Sequence, residues 1–377
     1  MASKSRGRDL FPRLRRLFVA VASCCLCSYS LAQTIQDCPN TMPHRAKINA
    51  DSPHLPPGPL QVFNVVDMGA DPSGNTDSAA AFRAAFGNNR TILVPVGHYL
   101  FGSTEASPCC AFDRTGVLVS KLSNFRLRGE GATIIVSQQI SLSSAFHIHQ
   151  SHHFSVSGLT IIGSRTGLSA AQENAGLAFS SDTDFVVKGI HLAGDFGGNG
   201  AAIVGDWLVD GKFEDISADR VGHCMDLAYL LRIRISRIQA RGAGAGGNGT
   251  AGQTCISVIP DPPNAGKNQT MLQFNASSEI TITDIDESNF NTGALLSAGH
   301  GYTLSHNHWH DNRGNRPGLG IGVWIKQGTA PENGVQPSDV EILCDRFTDN
   351  GRDIVGDRGR AGVVAGRSQS DTWRYTR

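Results

Sequence analysis

The segments FNVVDMGADPSGNTDSAAAFRAAF (residues 63–86) and TILVPVGHYLF (residues 91–101) decide the fold of this chain. The first segment opens with residues that alternate between two sides, which predicts a short strand. Gly69, Pro72 and Gly74 then break the pattern, as residues of turns do. The chain therefore begins its folded part with a strand and a turn.

A short helix is predicted to follow the turn, with Thr76 or Asp77 as its N-cap. Its apolar residues fall on one stripe: Ala81, Phe82, Ala85 and Phe86. After the helix, a second strand is predicted from Thr91 to Val94, which meets the turn at residues 95–97 and continues through Tyr99 to Phe101.

This order resembles the first coil of the pectate-lyase-like right-handed β-helix proteins, and in particular the group of rhamnogalacturonases and epimerases. Their first coil reads F-N-V-x-D-x-G-A-x-x-D-G-x-T-D-x-x-A-A-x-x-A and continues with V-x-x-P-x-G-x-Y. Most positions match here, although Ser73 replaces the usual Asp and His98 occupies the variable position. The resemblance implies an all-β fold, a single right-handed parallel β-helix with a short N-terminal capping helix. It also implies that Asp77 is structural rather than catalytic.

A repeated pattern of apolar residues supports the same fold. Each copy begins with an aromatic or β-branched residue, has an apolar residue two positions later, and has an apolar residue or Asn three positions after that. The copies are Phe154-x-Val156-x-x-Leu159, Phe185-x-Val187-x-x-Ile190, Ile233-x-Ile235-x-x-Ile238, Ile280-x-Ile282-x-x-Ile285 and Tyr302-x-Leu304-x-x-Asn307. Steps between equivalent positions are 22 to 31 residues, with one of 47, as in solenoid coils. The first residues of these copies are predicted to stack in one continuous core.

The chain divides into four predicted segments. Residues 1–32 have a basic start and a short apolar run, which predicts a signal peptide for a secreted or periplasmic protein. A lipoprotein anchored at Cys24 is the alternative. Residues 33–60 are a proline-rich extended linker, residues 61–355 the β-helix and residues 356–377 a C-terminal tail.

Charge and composition restrict the class of partner. Removal of residues 1–32 leaves 27 basic and 32 acidic residues, a net charge of −5, which disfavours nucleic-acid binding. No later apolar run has the length of a membrane span, so no transmembrane helix is expected, and we expect a monomer. Six cysteines remain and permit up to three disulfides, although Cys224 and Cys255 could equally be buried small apolar residues.

Short strands before the repeated patterns carry outward positions that are predicted to form two ladders. One ladder is His147, Ala178, Val204, Asp226, Gln273, Leu295 and Trp324, and the other is His149, Ser180, Asp206, Ala228, Asn275, Ser297 and Lys326. A row of polar groups with one indole suits a sugar-binding groove, because it offers hydrogen-bond partners beside an apolar platform. An ordinary solvated surface is the alternative.

The polygalacturonases share the β-helix and offer a catalytic pattern for comparison. They have N-T-D, a paired Asp-Asp, G-H-G and R-I-K on successive coils. The predicted register puts Thr292 at the family's His, residues 269–270 at the paired acids and His223 at the Asp of N-T-D. Residues 322–326, GVWIK, resemble the last element with Trp324 in place of Arg. The acid pair that hydrolysis needs is thus largely absent.

Histidines gather after this region. His300, in Gly299-His300-Gly301, is predicted to lie in a turn before Tyr302. His306, His308 and His310 would share a face if residues 305–311 were extended. Three imidazoles on one face could bind Zn²⁺, but a spacing of about 6.6–7 Å between alternate residues makes one straight strand a poor site. Surface histidines at a groove edge are the favoured interpretation.

The acids of residues 283–289, TDIDESN, are a second candidate for metal binding. Asp284, Asp286 and Glu287 suggest an acid pair or a Ca²⁺ site of the kind that pectate lyases use. Ca²⁺ takes six to eight oxygen ligands, and this run alone offers too few. The favoured interpretation is a group of solvated acids, and no metal or cofactor is assigned.

The sequence predicts a polysaccharide-active protein, a glycoside hydrolase or polysaccharide lyase for a uronic-acid-containing or related glycan. The alternative is a non-catalytic β-helix that binds glycan or serves as a surface or adhesion module, since a fold does not fix the chemistry. The predicted catalytic residues are His223, Asp226 and Lys326. The predicted substrate-binding residues are Gln273, Asn275, Trp324 and His300.

Overall fold

The computed structural model describes residues 60–107, 114–137, 144–164, 175–196, 201–242, 254–258, 277–297, 299–312, 320–326, 337–356 and 371–375. The predicted signal peptide with Cys24 and residues 33–59 of the predicted linker lie outside these residues, as do Gln273 and Asn275.

The described residues form 22 strands and one helix, α1, Ala79–Ala85. The early strands are β1 Gln61–Asn64, β2 Ser73–Asp77, β3 Arg90–Val94, β4 Gly97–Phe101, β5 Glu105–Ala106, β6 Arg114–Ser120, β7 Ser123–Val136, β8 Ser144–His149, β9 His152–Ser164, β10 Ala175–Ser180 and β11 Thr183–Asp195. The later strands are β12 Ala201–Val221, β13 His223–Gly242, β14 Thr254–Val258, β15 Ser278–Ser288, β16 Thr292–Ser297, β17 His300–Ser305, β18 His308–His310, β19 Ile321–Lys326, β20 Ser338–Thr348, β21 Arg352–Gly356 and β22 Asp371–Tyr375.

These strands wind into coils with three faces. The first face contains β6, β8, β10, the starts of β12 and β13, and then β14, β16, β19 and β21. The second face begins with β1 and β3 and ends with β17 and the start of β20. The third face begins with β2 and β4 and ends with β18 and the end of β20. Neighbouring coils pair in parallel, and β5–β6 and β20–β22 are antiparallel exceptions among the described strands. The predicted right-handed parallel β-helix is confirmed.

The core follows the predicted repeat. Phe125, Phe154 and Phe185 lie on consecutive rungs with nearly parallel rings, at centroid separations of 4.9 and 5.5 Å. The next rung is Gly211, where an added Cβ would lie 2.1 Å from Cζ of Phe185, so this ring fills the place of the missing side chain. The column then continues through Ile233, Ile280 and Tyr302, all buried. Each coil thus covers the apolar face of the coil before it.

The first coil differs in detail from its prediction. Helix α1 begins at Ala79 with Ser78 as N-cap, one residue after Asp77 and two after Thr76, and the Ser78 side chain makes no capping hydrogen bond. Asp77 instead accepts hydrogen bonds at Oδ1 from the N–H of Ala79 (3.1 Å) and of Gly102 (2.7 Å). Residues 73–77 also form a strand, β2, which pairs with β4 and which the turn residues around it concealed. Asp77 therefore has a structural contact, as predicted.

The coil after β13 corrects the predicted ladders. Strand β14, not residues 270–275, lies between β13 and β16, and Ser257 pairs with Asp226 on one side and with Leu295 on the other. Ser257 therefore holds the rung that was assigned to Gln273. The glycine-rich stretch before β14 hid the short apolar strand 254–258, and TMLQFN had the stronger alternating pattern.

Two further expectations concern cysteines and membranes. Cys224 and Cys255 are free and buried, whereas Cys344 is disulfide-bonded. Within the described part of the chain, no helix is long and apolar enough to cross a membrane.

Candidate functional site

The first face carries the predicted polar ladder in its later coils. Asp226, Ser257, Leu295 and Trp324 lie on four consecutive rungs, and the side chains of Asp226 and Trp324 are half-buried. Ser297 and Lys326 form the neighbouring rung pair, and Lys326 ends β19. The side chain of Lys326 is outside the described part of the structure. The structure thus brings the backbone of Asp226, Trp324 and Lys326 to one face.

His223 stands at the start of β13, three residues before Asp226. Alternation along a strand gives it the parity of the core residue Met225 rather than that of Asp226. The Thr254 N–H donates to Nδ1 of His223 at 3.4 Å, and burial lowers the pKa of His223 to about 4. His223 is therefore a neutral, partly enclosed imidazole at the edge of the ladder.

His300 belongs to the second face and not to the ladder. It is exposed and begins β17, where it pairs with Ser278 and Ser338, so the predicted turn before Tyr302 is shorter than expected. It follows Ser297 by three residues, at the corner between the two faces. A ligand on the first face would therefore contact His300 only at the edge of that face.

Asp206 lies on the same face, close to Asp226. Val204 pairs with Asp226 and Asp206 with Ala228, so the two acids lie on adjacent coils and two positions apart along the strand. Strand spacing and rise place their Cα atoms about 8 Å apart. Asp206 was in the second predicted ladder, but the diagonal relation to Asp226 emerges only when both ladders are set side by side.

An aromatic pair borders the same two coils. Trp207 and Tyr229 follow the first-face segments of β12 and β13, and their rings stack at 4.3 Å with an angle of 11°. Both have positive φ, 57° and 53°, which turns the chain at the corner. Tyr229 is buried and Trp207 is half-buried, so Trp207 is the more accessible ring of the pair and could contact a sugar next to Asp206. Strand alternation does not reveal this pair because corner positions fall outside that pattern.

The early coils of the first face are closed rather than open. His147 and His149 are buried, and both contact the Ser180 Oγ, at 2.7 Å from Nε2 of His147 and 2.8 Å from Nδ1 of His149. Ser107 Oγ lies 2.9 Å from Nδ1 of His147. Burial lowers the pKa of His147 to about 3, so this imidazole is neutral. The ladder positions His147, His149 and Ser180 are therefore buried and not exposed to solvent.

The third face holds a cleft of about 510 Å³. Its lining residues are Asp215, Ile216, Ser217, Arg237, Gln239, Asp284 and Asp286. Arg237 forms ion pairs with Asp215 and Glu214, so part of the acidic charge of this region is balanced. The cleft lies on a different face from the ladder of Asp226 and Trp324.

The acids and histidines next to this cleft differ from their predicted arrangement. Glu287 is fully buried in the core, where its Oε1 accepts a hydrogen bond from Nδ2 of Asn312 at 2.6 Å, and burial raises its pKa well above the ordinary value. It is therefore not the solvated acid that was expected. His306 sits at a corner with a φ of 57°, whereas His308 and His310 share β18, so the three histidines do not form one face.

Comparisons with known proteins agree on the fold. No protein-family profile matches the chain, and no curated protein matches it. An exopolygalacturonase from Thermotoga maritima matches with a TM-score of 0.50 and 11% identity, over 85% of this chain and 95% of the other. A 1,3-alpha-1,4-beta-D-galactose-4-sulfate-3,6-anhydro-D-galactose-2-sulfate 4 galactohydrolase matches with a TM-score of 0.51 and 10% identity, over 89% and 97%. The chain thus shares the right-handed parallel β-helix fold with these solved structures.

Proposed function

We propose that this protein is an exported polysaccharide-active enzyme, which binds a uronic-acid-containing or related glycan on the first face of the β-helix. The observation that carries the proposal is the half-buried carboxylate of Asp226, one coil from Asp206 and on the same ladder as Trp324. Two solved structures of similar fold are by name an exopolygalacturonase and a galactohydrolase, which supports a glycan as substrate. The disulfide at Cys344 supports an oxidising compartment, secreted or periplasmic.

The residues of this face have distinct roles in the proposal. Trp324 stacks on a sugar ring, and Lys326 neutralises or hydrogen-bonds an anionic sugar group. Asp226 exchanges a proton with the substrate. Gln273, Asn275 and His300 remain proposed substrate contacts, the first two from outside the described residues and the last from the corner.

The pair of Asp206 and Asp226 favours hydrolysis over elimination. An inverting glycosidase needs two carboxyl groups about 6.5–9.5 Å apart, one to protonate the leaving oxygen and one to activate water. A Cα separation of about 8 Å is compatible with that range. A lyase needs one base and a cation for the uronate charge, and the neutral His223 with Lys326 would suit that reaction.

A non-catalytic glycan-binding module is the second candidate. The resemblance places the polygalacturonase histidine at Thr292 and the paired acids at residues 269–270. Strand β14 takes that second position, so Thr254 pairs with Thr292 beside His223. Neither side chain can serve as a general acid at neutral pH. The same ladder could then hold a glycan without cleaving it.

A glycan panel with variants tests these candidates. New reducing ends indicate a hydrolase, absorbance of unsaturated products a lyase, and binding without either a non-catalytic module. Asp226→Asn is expected to lower turnover about 10²–10⁴-fold, the usual contribution of a general acid or base. Lys326→Ala is expected to weaken binding of anionic more than neutral glycans. Asp219→Asn on the third face is the matched control, and retained turnover and binding in both first-face variants would place the site elsewhere.

A further inference from the structure

Asp286, His308 and His310 meet on the third face, away from the proposed glycan site. Asp286 is in β15, and His308 and His310 are in β18 on the next coil. Asp286 and His308 share a rung, and His310 lies two positions further along. Their side chains are 60%, 31% and 24% exposed, so the group is open to solvent yet partly held by its neighbours.

The three side chains converge on one point. Nδ1 of His308 lies 3.0 Å and Nε2 of His310 lies 3.3 Å from the same carboxylate oxygen, Oδ1 of Asp286. The two imidazoles stack at a centroid separation of 4.2 Å, well below the roughly 6.6–7 Å between alternate residues of a strand. One nitrogen from each ring and one carboxylate oxygen lie within 4.8 Å of one another.

The other ring nitrogens have partners that fix the geometry. Nδ1 of His310 lies 2.9 Å from Oδ2 of Asp311, and a carboxylate only accepts, so this nitrogen carries a proton. Nε2 of His308 lies 2.9 Å from Oγ1 of Thr348, on the neighbouring coil. The Thr348 hydroxyl can donate or accept, so Nε2 of His308 can take either role. Nδ1 of His308 and Nε2 of His310 both face Oδ1 of Asp286, where either a ring proton or a shared cation can hold them beside the carboxylate.

This arrangement has the chemistry of a transition-metal site. Two imidazoles and one carboxylate suit Zn²⁺, Fe²⁺ or a similar ion, whereas Ca²⁺ and Mg²⁺ prefer oxygen ligands alone. A histidine that binds metal commonly donates its other N–H to a carboxylate, as His310 does to Asp311. Three protein ligands leave coordination positions open, and Asp286 also lines the third-face cleft.

The charged groups around the three side chains are compatible with one bound cation. Asp284 is exposed and lines the same cleft as Asp286, which adds negative charge. Arg346 pairs with His308 on the following coil, and its exposed side chain is long enough to extend into solvent. Arg237 is already engaged with Asp215 and Glu214.

We propose that Asp286, His308 and His310 bind one divalent transition-metal ion, with its remaining coordination positions open toward the third-face cleft. The proposal does not depend on the proposed glycan site, which lies on another face. The sequence signal is a His-x-His pair whose first histidine lies one coil of 22 residues after an aspartate, the same step that separates Ile280 from Tyr302.

Titration of the full chain, without a polyhistidine tag, with Co²⁺ and Zn²⁺ tests the proposal. One equivalent of Co²⁺ is expected to bind with visible d–d bands but without the near-ultraviolet thiolate band that cysteine ligands would give, and Zn²⁺ is expected to displace it. His308→Ala and Asp286→Asn are expected to abolish this spectrum. His306→Ala is the matched control from the same histidine run and is expected to keep it.

The contact between His310 and Asp311 gives a second test, in which metal binding is weakened but not lost. Asp311→Asn keeps the three ligands, and it is expected to weaken Zn²⁺ binding about 10–100-fold, as loss of such a partner commonly does. Circular dichroism of each variant verifies folding. An unchanged Co²⁺ spectrum in Asp286→Asn and His308→Ala would overturn the proposal. So would an absence of Co²⁺ and Zn²⁺ binding to the wild-type chain.

Discussion

At the scale of single residues, Asp182 shows how a buried acid supports the corner between two faces. It is fully buried, and its two carboxylate oxygens accept hydrogen bonds from the N–H groups of Ser151 (2.7 Å) and Ser180 (3.0 Å). Burial raises the pKa of Asp182 well above its ordinary value, and the nearby Asp206 carboxylate adds to the rise. Asp182 therefore stabilises the stack of coils most when it is protonated.

The pH dependence of stability follows from that shift. Because the folded pKa is raised, the folded state holds a proton that the unfolded chain releases above about pH 4. The free energy of unfolding should therefore fall as pH rises from about 4 toward the folded pKa, by up to about 1.4 kcal/mol per pH unit from this group. Denaturant unfolding of Asp182→Asn should lack this contribution. Parallel pH profiles for wild type and variant would contradict the assignment.

Asp182→Asn also has an expected cost at low pH. The hydroxyl oxygen of a protonated carboxyl can still accept a hydrogen bond, whereas an amide nitrogen cannot, so one of the two N–H groups of Ser151 and Ser180 loses its partner in the variant. A buried unsatisfied donor costs about 1–3 kcal/mol. The variant should thus be less stable than wild type near pH 4, and the difference should shrink as pH rises.

At the scale of elements, the Asp77 carboxylate joins helix α1 to the end of strand β4 in the first coil. Asp77 accepts from Ala79 in α1 and from Gly102 just after β4. Burial alone would raise the pKa of Asp77, but a hydrogen bond from the Ser103 side chain, the two backbone hydrogen bonds and Arg83 together hold this pKa below its ordinary value. Helix α1 in turn packs Phe82 edge-on against Tyr99 and Phe101.

Asp77→Ala should therefore loosen this end of the β-helix. The loss of two hydrogen bonds to a carboxylate is expected to cost about 1–3 kcal/mol, and the amides of Ala79 and Gly102 should exchange with solvent faster. Asp67→Ala, at an exposed position of the same coil, is the control and should leave both unchanged. Equal effects of the two variants would show that Asp77 does not hold the coil.

At the scale of the whole molecule, each coil is stabilised by packing against the neighbouring coils. In a solenoid each repeat contacts its neighbours, so a defect in the core acts first on adjacent coils. Phe154 lies between Phe125 and Phe185 in the aromatic column and is fully buried. Its loss would leave a cavity between three coils.

Phe154→Ala is expected to lower the free energy of unfolding by about 3–5 kcal/mol. Hydrogen exchange should rise in β7, β9 and β11, with little change in β16 and β19. Val96→Ala, at a side chain that is 74% exposed, provides the control. A uniform rise in exchange over all coils would instead show that the β-helix unfolds as one cooperative unit.

The sequence alone determined the fold and the ladder order because both depend on local spacing. The first-coil segment and the repeated apolar pattern specified the parallel β-helix, and strand alternation placed Asp226, Leu295 and Trp324 on one face. Burial of a continuous apolar column permits a single register over most coils, so these local signals were sufficient. They failed at residues 243–276, where glycines and a long insertion removed the periodicity.

Tertiary structure alone decided which residues meet across coils. The stack of Trp207 on Tyr229 and the meeting of Asp286 with His308 and His310 each join residues that are 22 or more positions apart in the chain. Such contacts depend on the exact number of residues in each coil, since one residue more or less turns a side chain to the opposite side of the sheet. The sequence carries the residues of these clusters, but the length of each coil brings them together.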